Sequence, residues 1–390
     1  MTRTVALLLA LGACMTWGAL AQEPDTSAID ATAPAGPAVE VAFVLDTTGS
    51  MSDLIQAAKE KIWAIANTLA TAKPAPDIKM ALVGYRDRGD EYVTKITDLT
   101  NDLDAVYNDL MGYAAHGGSD TPESVNQALH EAVTKLSWGD GKEAYRVIFL
   151  VGDAPPHMDY ENDVKYPDSC KKAIGNGIYI NTIQCGSING TDRIWRDIAA
   201  KAEGRYFRVE QSGNAILAET PFDEELGRLS TELEGTRVFY GTAEVQAEMA
   251  AKGALGTTFA DVAPASAKAQ RAFFNISEAG AANFLGKQEL VDAYSNEAVD
   301  LEKMPTEELP EELRDMTIDE RKEYLGKKAE RRSELSEQIR ELGEKRQAYL
   351  EEQVRKLNLE DKGTLDHSVF ECIQTQAEKK GIRYEGGPAL

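Results

Sequence analysis

Asp46-Thr47-Thr48-Gly49-Ser50-Met51 sets one carboxylate and two hydroxyls, each two residues apart, in a turn between an apolar run and an amphipathic one. Oxygens of this kind are hard ligands suited to Mg²⁺, with Mn²⁺ or Ca²⁺ as its substitutes. The same residue types also cap helices, so the motif gains meaning only from its surroundings. Other chemistries find less support. The chain has no Gly-x-x-x-x-Gly-Lys-Ser/Thr loop to cradle phosphates and no serine elbow. Its four histidines show no paired ligand spacing, which argues against zinc. The chain is therefore read as a non-enzyme.

The elements that must position the turn follow from periodicity. From Val39 to about Gly241, short apolar strands alternate with amphipathic helices, as βα units of a mainly parallel sheet do. Strands are expected at 39–45, 78–85, 92–96, 146–151, 178–184 and 205–209. Helices are expected at 53–71, 122–136 and 221–233, the last packing back on the sheet through Phe222, Leu226, Leu229 and Leu233. The Asp46 turn then lies at the carboxyl end of the first strand, where open α/β sheets bind ligands.

Two further segments complete a pattern: Gly117-Gly118-Ser119-Asp120-Thr121-Pro122-Glu123 before a helix, and Val147-Ile148-Phe149-Leu150-Val151-Gly152-Asp153, an apolar strand ending in an acid. With the first turn they resemble the metal-ion-dependent adhesion site of von Willebrand factor type A and integrin I domains, whose first loop reads Asp-x-Ser/Thr-x-Ser. The resemblance covers about residues 39–240. It implies a doubly wound, mainly parallel six-stranded sheet, and a Mg²⁺ ion held by Asp46, Thr48, Ser50, Glu123 and Asp153. Asp153 would reach the ion directly or through water. Thr121 is the alternative to Glu123, which the Asp120-x-Pro122-Glu123 spelling ranks first. In this family an open coordination position accepts an Asp or Glu of a partner protein, and helix 221–233 would shift when it does. Asp53 matches an acid of a flanking metal site in integrin β domains but reads first as an ordinary first-turn helix acid, and Asp120 could support a second ion or only shape its turn. Asp87, Arg88, Asp90 and Glu91 read as solvated charge, and His116 and His157 as surface or partner contacts.

The remaining composition bounds partners and address. Sixty-five acidic against 42 basic residues give a net charge of −23, which excludes a nucleic-acid partner of the phosphate-neutralising kind. Residues 1–21 have the charge, apolar run and small-residue end of an export signal, so the protein is expected to be periplasmic or secreted, soluble unless lipidated at Cys14. Residues 22–38 read as a linker, 39–240 as the α/β domain, 241–304 as an Ala/Gly-rich, mostly helical region and 305–390 as a charged helical region. A short helical hairpin is expected in the last, because Arg332 and Arg346 interrupt the seam of Leu335, Ile339, Leu342 and Tyr349. Cys170 and Cys185 could either bridge or stay as separate buried thiols.

Overall fold

Six strands build the central sheet: β1 (Ala38–Asp46), β2 (Asp77–Tyr85), β3 (Thr94–Thr100), β4 (Tyr145–Gly152), β5 (Ile178–Cys185) and β6 (Tyr206–Val209). They are ordered β3-β2-β1-β4-β5-β6, with only β3 antiparallel to its neighbour. Strands β1 and β4 lie in the middle and are covered on both faces, which is why they read as unbroken apolar runs rather than alternating ones. The edge strand β3 carries Lys95 and Asp98, the charges that blunt an exposed edge. The computed structural model describes residues 36–118, 120–209, 219–286, 288–356 and 365–384. The expected signal at 1–21, Cys14 and all but the last three residues of the expected linker lie outside them.

Helices cover both faces. One layer holds α3 (Val125–Thr134), α4 (Tyr166–Gly175) and α5 (Thr191–Lys201), packed through Val125, Leu129, Ala173, Trp195 and Ile198 on Ala42, Val44, Ile148 and Leu150. The other holds α1 (Ile55–Ala70) and α2 (Leu103–Gly112), a helix not among those expected although Asp102 caps it and Leu103, Val106, Tyr107 and Leu110 fall on one face, over Val41, Phe43, Leu45 and Phe149. The sheet separates the two cysteines. Cys170 belongs to the first layer and Cys185 faces the second, and both thiols are free.

The C-terminal half departs from expectation in two places. Helix α6 (Asp223–Glu234) does not pack on the sheet. Its Leu226, Leu229 and Leu233 meet Ala269 and Ala272 of α8 (Ala265–Ile276) and Leu335 and Ile339 of α12 (Ile318–Lys356). The place beside α1 on the sheet is taken instead by α13 (Leu365–Glu378), through Val369, Phe370, Ile373 and Ala377. In place of a hairpin, α12 runs unbroken for 39 residues, about 58 Å at 1.5 Å per residue. The arginines that seemed to spoil its seam have buried acidic partners. Arg332 donates to Glu289 at 3.0 and 2.8 Å, and Arg346 to Asp223 at 2.8 Å. The short α7 to α11 segment, comprising α7 (Ala243–Val262), α9 (Glu278–Leu285), α10 (Leu290–Ser295) and α11 (Glu311–Arg314), fills the space between. Phe259 of α7 and Phe274 of α8 close on Trp63 of α1, with ring centroids 6.5 and 6.0 Å away. The described residues between 241 and 384 thus share one compact unit with the sheet. Among the described residues no helix is long and apolar enough to cross a membrane.

Candidate metal centre

Strand β1 ends at Asp46, in register with Tyr85 at the end of β2. The chain then turns through Gly49–Met51, with Met51 buried as the plug beneath the turn. The Gly49 N–H donates to the Gly117 carbonyl at 3.0 Å, tying the first loop to the second. Within the turn, Asp46 Oδ1 accepts from the Thr48 N–H at 2.9 Å and the Thr48 hydroxyl at 2.6 Å. Thr48 Oγ1 lies 3.1 Å from Ser50 Oγ, which donates to Asp153 Oδ1 at 3.0 Å. A continuous ladder of oxygens therefore joins the ends of β1 and β4. Asp46, Thr48 and Asp153 are buried, while Ser50 is exposed at the mouth.

Glu123 enters from the loop before α3. Its N–H donates to the Pro155 carbonyl at 2.9 Å and its carbonyl accepts from the His157 N–H at 3.0 Å, so the second and third loops are also stitched together. A Cβ on Gly118 would sit 2.9 Å from Glu123 Oε1 and 3.1 Å from Thr48 Cβ, and Gly118 has φ +73°. Only glycine takes that backbone comfortably while leaving the room Glu123 uses beside Thr48. Gly152 has the same role for Asp46, where a Cβ would lie 2.5 Å from the Tyr85 hydroxyl and 3.0 Å from Asp46 Oδ2. Thr121 and Asp53 are exposed, as is His116, whose backbone N–H donates to the Thr47 carbonyl at 3.0 Å.

The charges are in conflict. Burial, then the charge of Asp153, push the Asp46 carboxyl up to about 7 against the hydrogen bonds of Thr48. Burial, followed by Asp46, Asp87, Asp90 and Asp153, pushes Glu123 up to about 9. Burial also raises Asp153, opposed by Ser50. Asp46 Oδ2 and Glu123 Oε2 are buried and meet no hydrogen-bond partner, as does the Tyr85 hydroxyl beside them. The Tyr85 hydroxyl lies close enough to Asp46 to offset part of its burial without making a well-aligned hydrogen bond, and buried carboxylate oxygens left without a countercharge are costly. A divalent cation supplies that charge, and the donor set of carboxylates and hydroxyls fits Mg²⁺.

The loop after β2 is solvated charge at Arg88 and Glu91, as expected, but not throughout. Arg86 and Asp87 are buried. Arg86 donates to the Thr47 carbonyl at 3.2 Å and the Ala114 carbonyl at 3.0 Å, and lies over Tyr92. Asp90 accepts from the N–H groups of Asp87 at 3.1 Å and Gly118 at 3.0 Å. His157, expected at the surface, is buried too. Asp87, Asp120 and His157 bring one ligand atom each within 4.8 Å of one another, and among the described residues no other group of His, Cys, Asp and Glu is gathered that closely. Asp46, Glu123 and Asp153 stand farther apart than that, as suits an ion reached partly through hydroxyls and water. No sequence spacing marks the Asp87 group, because its members come from three separate loops.

Comparison with known proteins agrees with this architecture. Residues 40–208 match the model of the von Willebrand factor A domain family. A 119-residue stretch is 27% identical to the putative ariadne-like RING finger protein R811 of Acanthamoeba polyphaga mimivirus, covering 30% of this chain and 11% of that protein. The chain thus spans about a tenth of that relative's length. Among solved structures, proximal thread matrix protein 1 of the mussel byssus is similar over 45% of this chain and 43% of its own, at 13% identity and TM-score 0.33. The SpRpn10 VWA domain is similar over 44% and 88%, at 15% identity and TM-score 0.34. The matched stretch carries the mostly parallel six-stranded sheet with helices on both faces, a fold like that of von Willebrand factor A domains.

Proposed function

We propose that this chain is an exported protein-binding module that holds a divalent ion, Mg²⁺ first, on Asp46, Thr48, Ser50, Glu123 and Asp153. A partner's Asp or Glu carboxylate completes the coordination at the exposed Ser50 edge. The observation that carries this reading is the pair of buried, unpartnered oxygens, Asp46 Oδ2 and Glu123 Oε2, beside the hydroxyl ladder that ends on Asp153. They form a site short of positive charge at the carboxyl edge of the sheet. The von Willebrand factor A domain supports the interaction role. Export rests on the pattern of residues 1–21, and no reaction is assigned to the chain itself.

Helix α6 is not the moving part in this proposal. Arg346 of α12 on Asp223 and Arg271 of α8 on Glu234 fasten it to the helical layer. The test is capture of partners from the exported fraction of the native cell by immobilised full-length chain, in Mg²⁺ and in a chelator. Proteins retained in Mg²⁺, released by chelator and absent with Ser50→Ala are the expected result. Retention that is indifferent to all three conditions contradicts the proposal.

A further inference from the structure

Beside the first site lies a second arrangement with different donors. Asp87 follows β2, Asp120 lies in the loop before α3, and His157 follows β4. The His157 side chain is 5% exposed. Its ring is stacked on Tyr160, with centroids 3.9 Å apart and planes 7° from parallel, while Arg88 covers the other part of that tyrosine at 4.0 Å. The imidazole is therefore fixed in orientation.

The two ring nitrogens have unlike surroundings. Nδ1 lies 2.8 Å from Asp159 Oδ1 and donates its proton there. In the neutral ring this leaves the lone pair on Nε2, the carboxylate–histidine arrangement that orients imidazoles toward metals. Nε2 points at Asp87 Oδ2, 3.4 Å away, without hydrogen-bond alignment, and is buried with no partner. Asp87 is held in turn. Its Oδ1 accepts from the Ser124 hydroxyl and its Oδ2 from the Tyr160 hydroxyl, both at 2.7 Å. A lone pair and a carboxylate oxygen thus face each other with no proton aligned between them. Their 3.4 Å separation is about the edge of a tetrahedron around an ion with ligands near 2.1 Å. Asp120 is exposed and supplies the third ligand and the path to solvent.

We propose that Asp87, Asp120 and His157 form a second cation site that takes a borderline transition-metal dication, Zn²⁺ being its probe, and staples together the three loops that frame the first site. One imidazole with two carboxylates suits such an ion better than Mg²⁺, which prefers oxygen alone. Three protein ligands leave a fourth position for water. The sequence reading argued against zinc because the histidines are unpaired. A single histidine suffices here because folding brings in the acids.

The test is titration of Zn²⁺ into chelator-treated full-length chain, followed by calorimetry, with Mg²⁺ titrated separately. Wild type is expected to bind one Zn²⁺ that is weakened at least tenfold by His157→Ala and by Asp120→Asn. Because Asp120 is exposed, that variant keeps its fold and separates loss of a ligand from loss of structure. Ser50→Ala, which touches only the first site, is expected to keep this Zn²⁺ while losing Mg²⁺. Zn²⁺ affinity unchanged in both Asp120→Asn and His157→Ala overturns the proposal, and the site is then an imidazolium between two acids. Loss of the same Zn²⁺ in Ser50→Ala also overturns it, because the two sites are then one. Zn²⁺ bound as described without any Mg²⁺ binding overturns the first site and leaves the second standing.

Discussion

Replacing Asp46 with alanine removes Mg²⁺ binding while leaving the fold intact. Altering a residue behind a metal ligand already costs 10- to 100-fold in affinity, so losing a direct ligand is expected to cost roughly a hundredfold or more. Stability moves differently. The Asp46 carboxyl is raised from 3.8 to about 7 in the metal-free fold, first by burial and then by Asp153. An acid whose folded pKa is raised holds its proton longer folded than unfolded. The contribution of Asp46 to stability is thus greatest below about pH 4, falls as the unfolded chain ionises, and levels off above about pH 7. At 1.36 kcal/mol per unit the loss is about 4 kcal/mol. The alanine variant lacks this slope but also lacks the bonds to Thr48, worth roughly 1.5–3 kcal/mol each when the carboxylate is charged. Thermal denaturation without metal is expected to show a shallower fall from pH 5 to 8 than wild type, Glu123 supplying what remains. Calorimetry that finds equal Mg²⁺ affinity in Asp46→Ala sinks the ligand assignment.

The largest stability effect is expected far from the site, at Arg271. This arginine of α8 is 1% exposed, donates to both oxygens of Asp104 on α2 at 2.6 Å, and to Glu234 on α6 at 2.6 Å. Burial pushes Asp104 up, but the charge and hydrogen bonds of Arg271 outweigh it and leave the carboxyl below its usual range. A depressed acid contributes stability above its unfolded pKa and loses it as pH falls through the folded one, so this contribution is present at neutral pH. Arg271→Ala strands the buried Asp104 carboxylate, while Glu234 keeps Arg237, and is expected to cost about 3–5 kcal/mol in urea denaturation. Arg271→Met combined with Asp104→Leu is expected to recover much of that, since an apolar pair of similar volume replaces the charges. A loss below about 1 kcal/mol in Arg271→Ala contradicts the picture of one welded unit.

The parts of the molecule legible in the sequence were those written locally. The apolar runs of β1 and β4 state burial on both faces, and the turn from Asp46 to Ser50 states a strand-to-helix junction with oxygen ligands. The illegible parts depend on partners distant in the chain. Leu226, Leu229 and Leu233 declare an apolar face, but not whether the sheet or Leu335 and Ile339, about a hundred residues on, will cover it. Arg332 and Arg346 look like defects in a seam until Glu289 and Asp223 are brought to them. Asp87 reads as solvated charge because Ser124 and Tyr160, which hold its oxygens, lie in other loops, and His157 reads as a surface or partner contact because the stacking on Tyr160 depends on how their shared loop folds.

The central claim is that one ion sits among the hydroxyls of Thr48 and Ser50 and the carboxylates of Asp46, Glu123 and Asp153. Crystals of the full-length chain grown with Mn²⁺, whose anomalous scattering locates it without ambiguity, test this most directly. The account predicts an anomalous peak about 2.1–2.3 Å from Ser50 Oγ and Thr48 Oγ1, metal–oxygen distances between those of Mg²⁺ and Ca²⁺. Saturating Mn²⁺ with no peak between those two hydroxyls contradicts it.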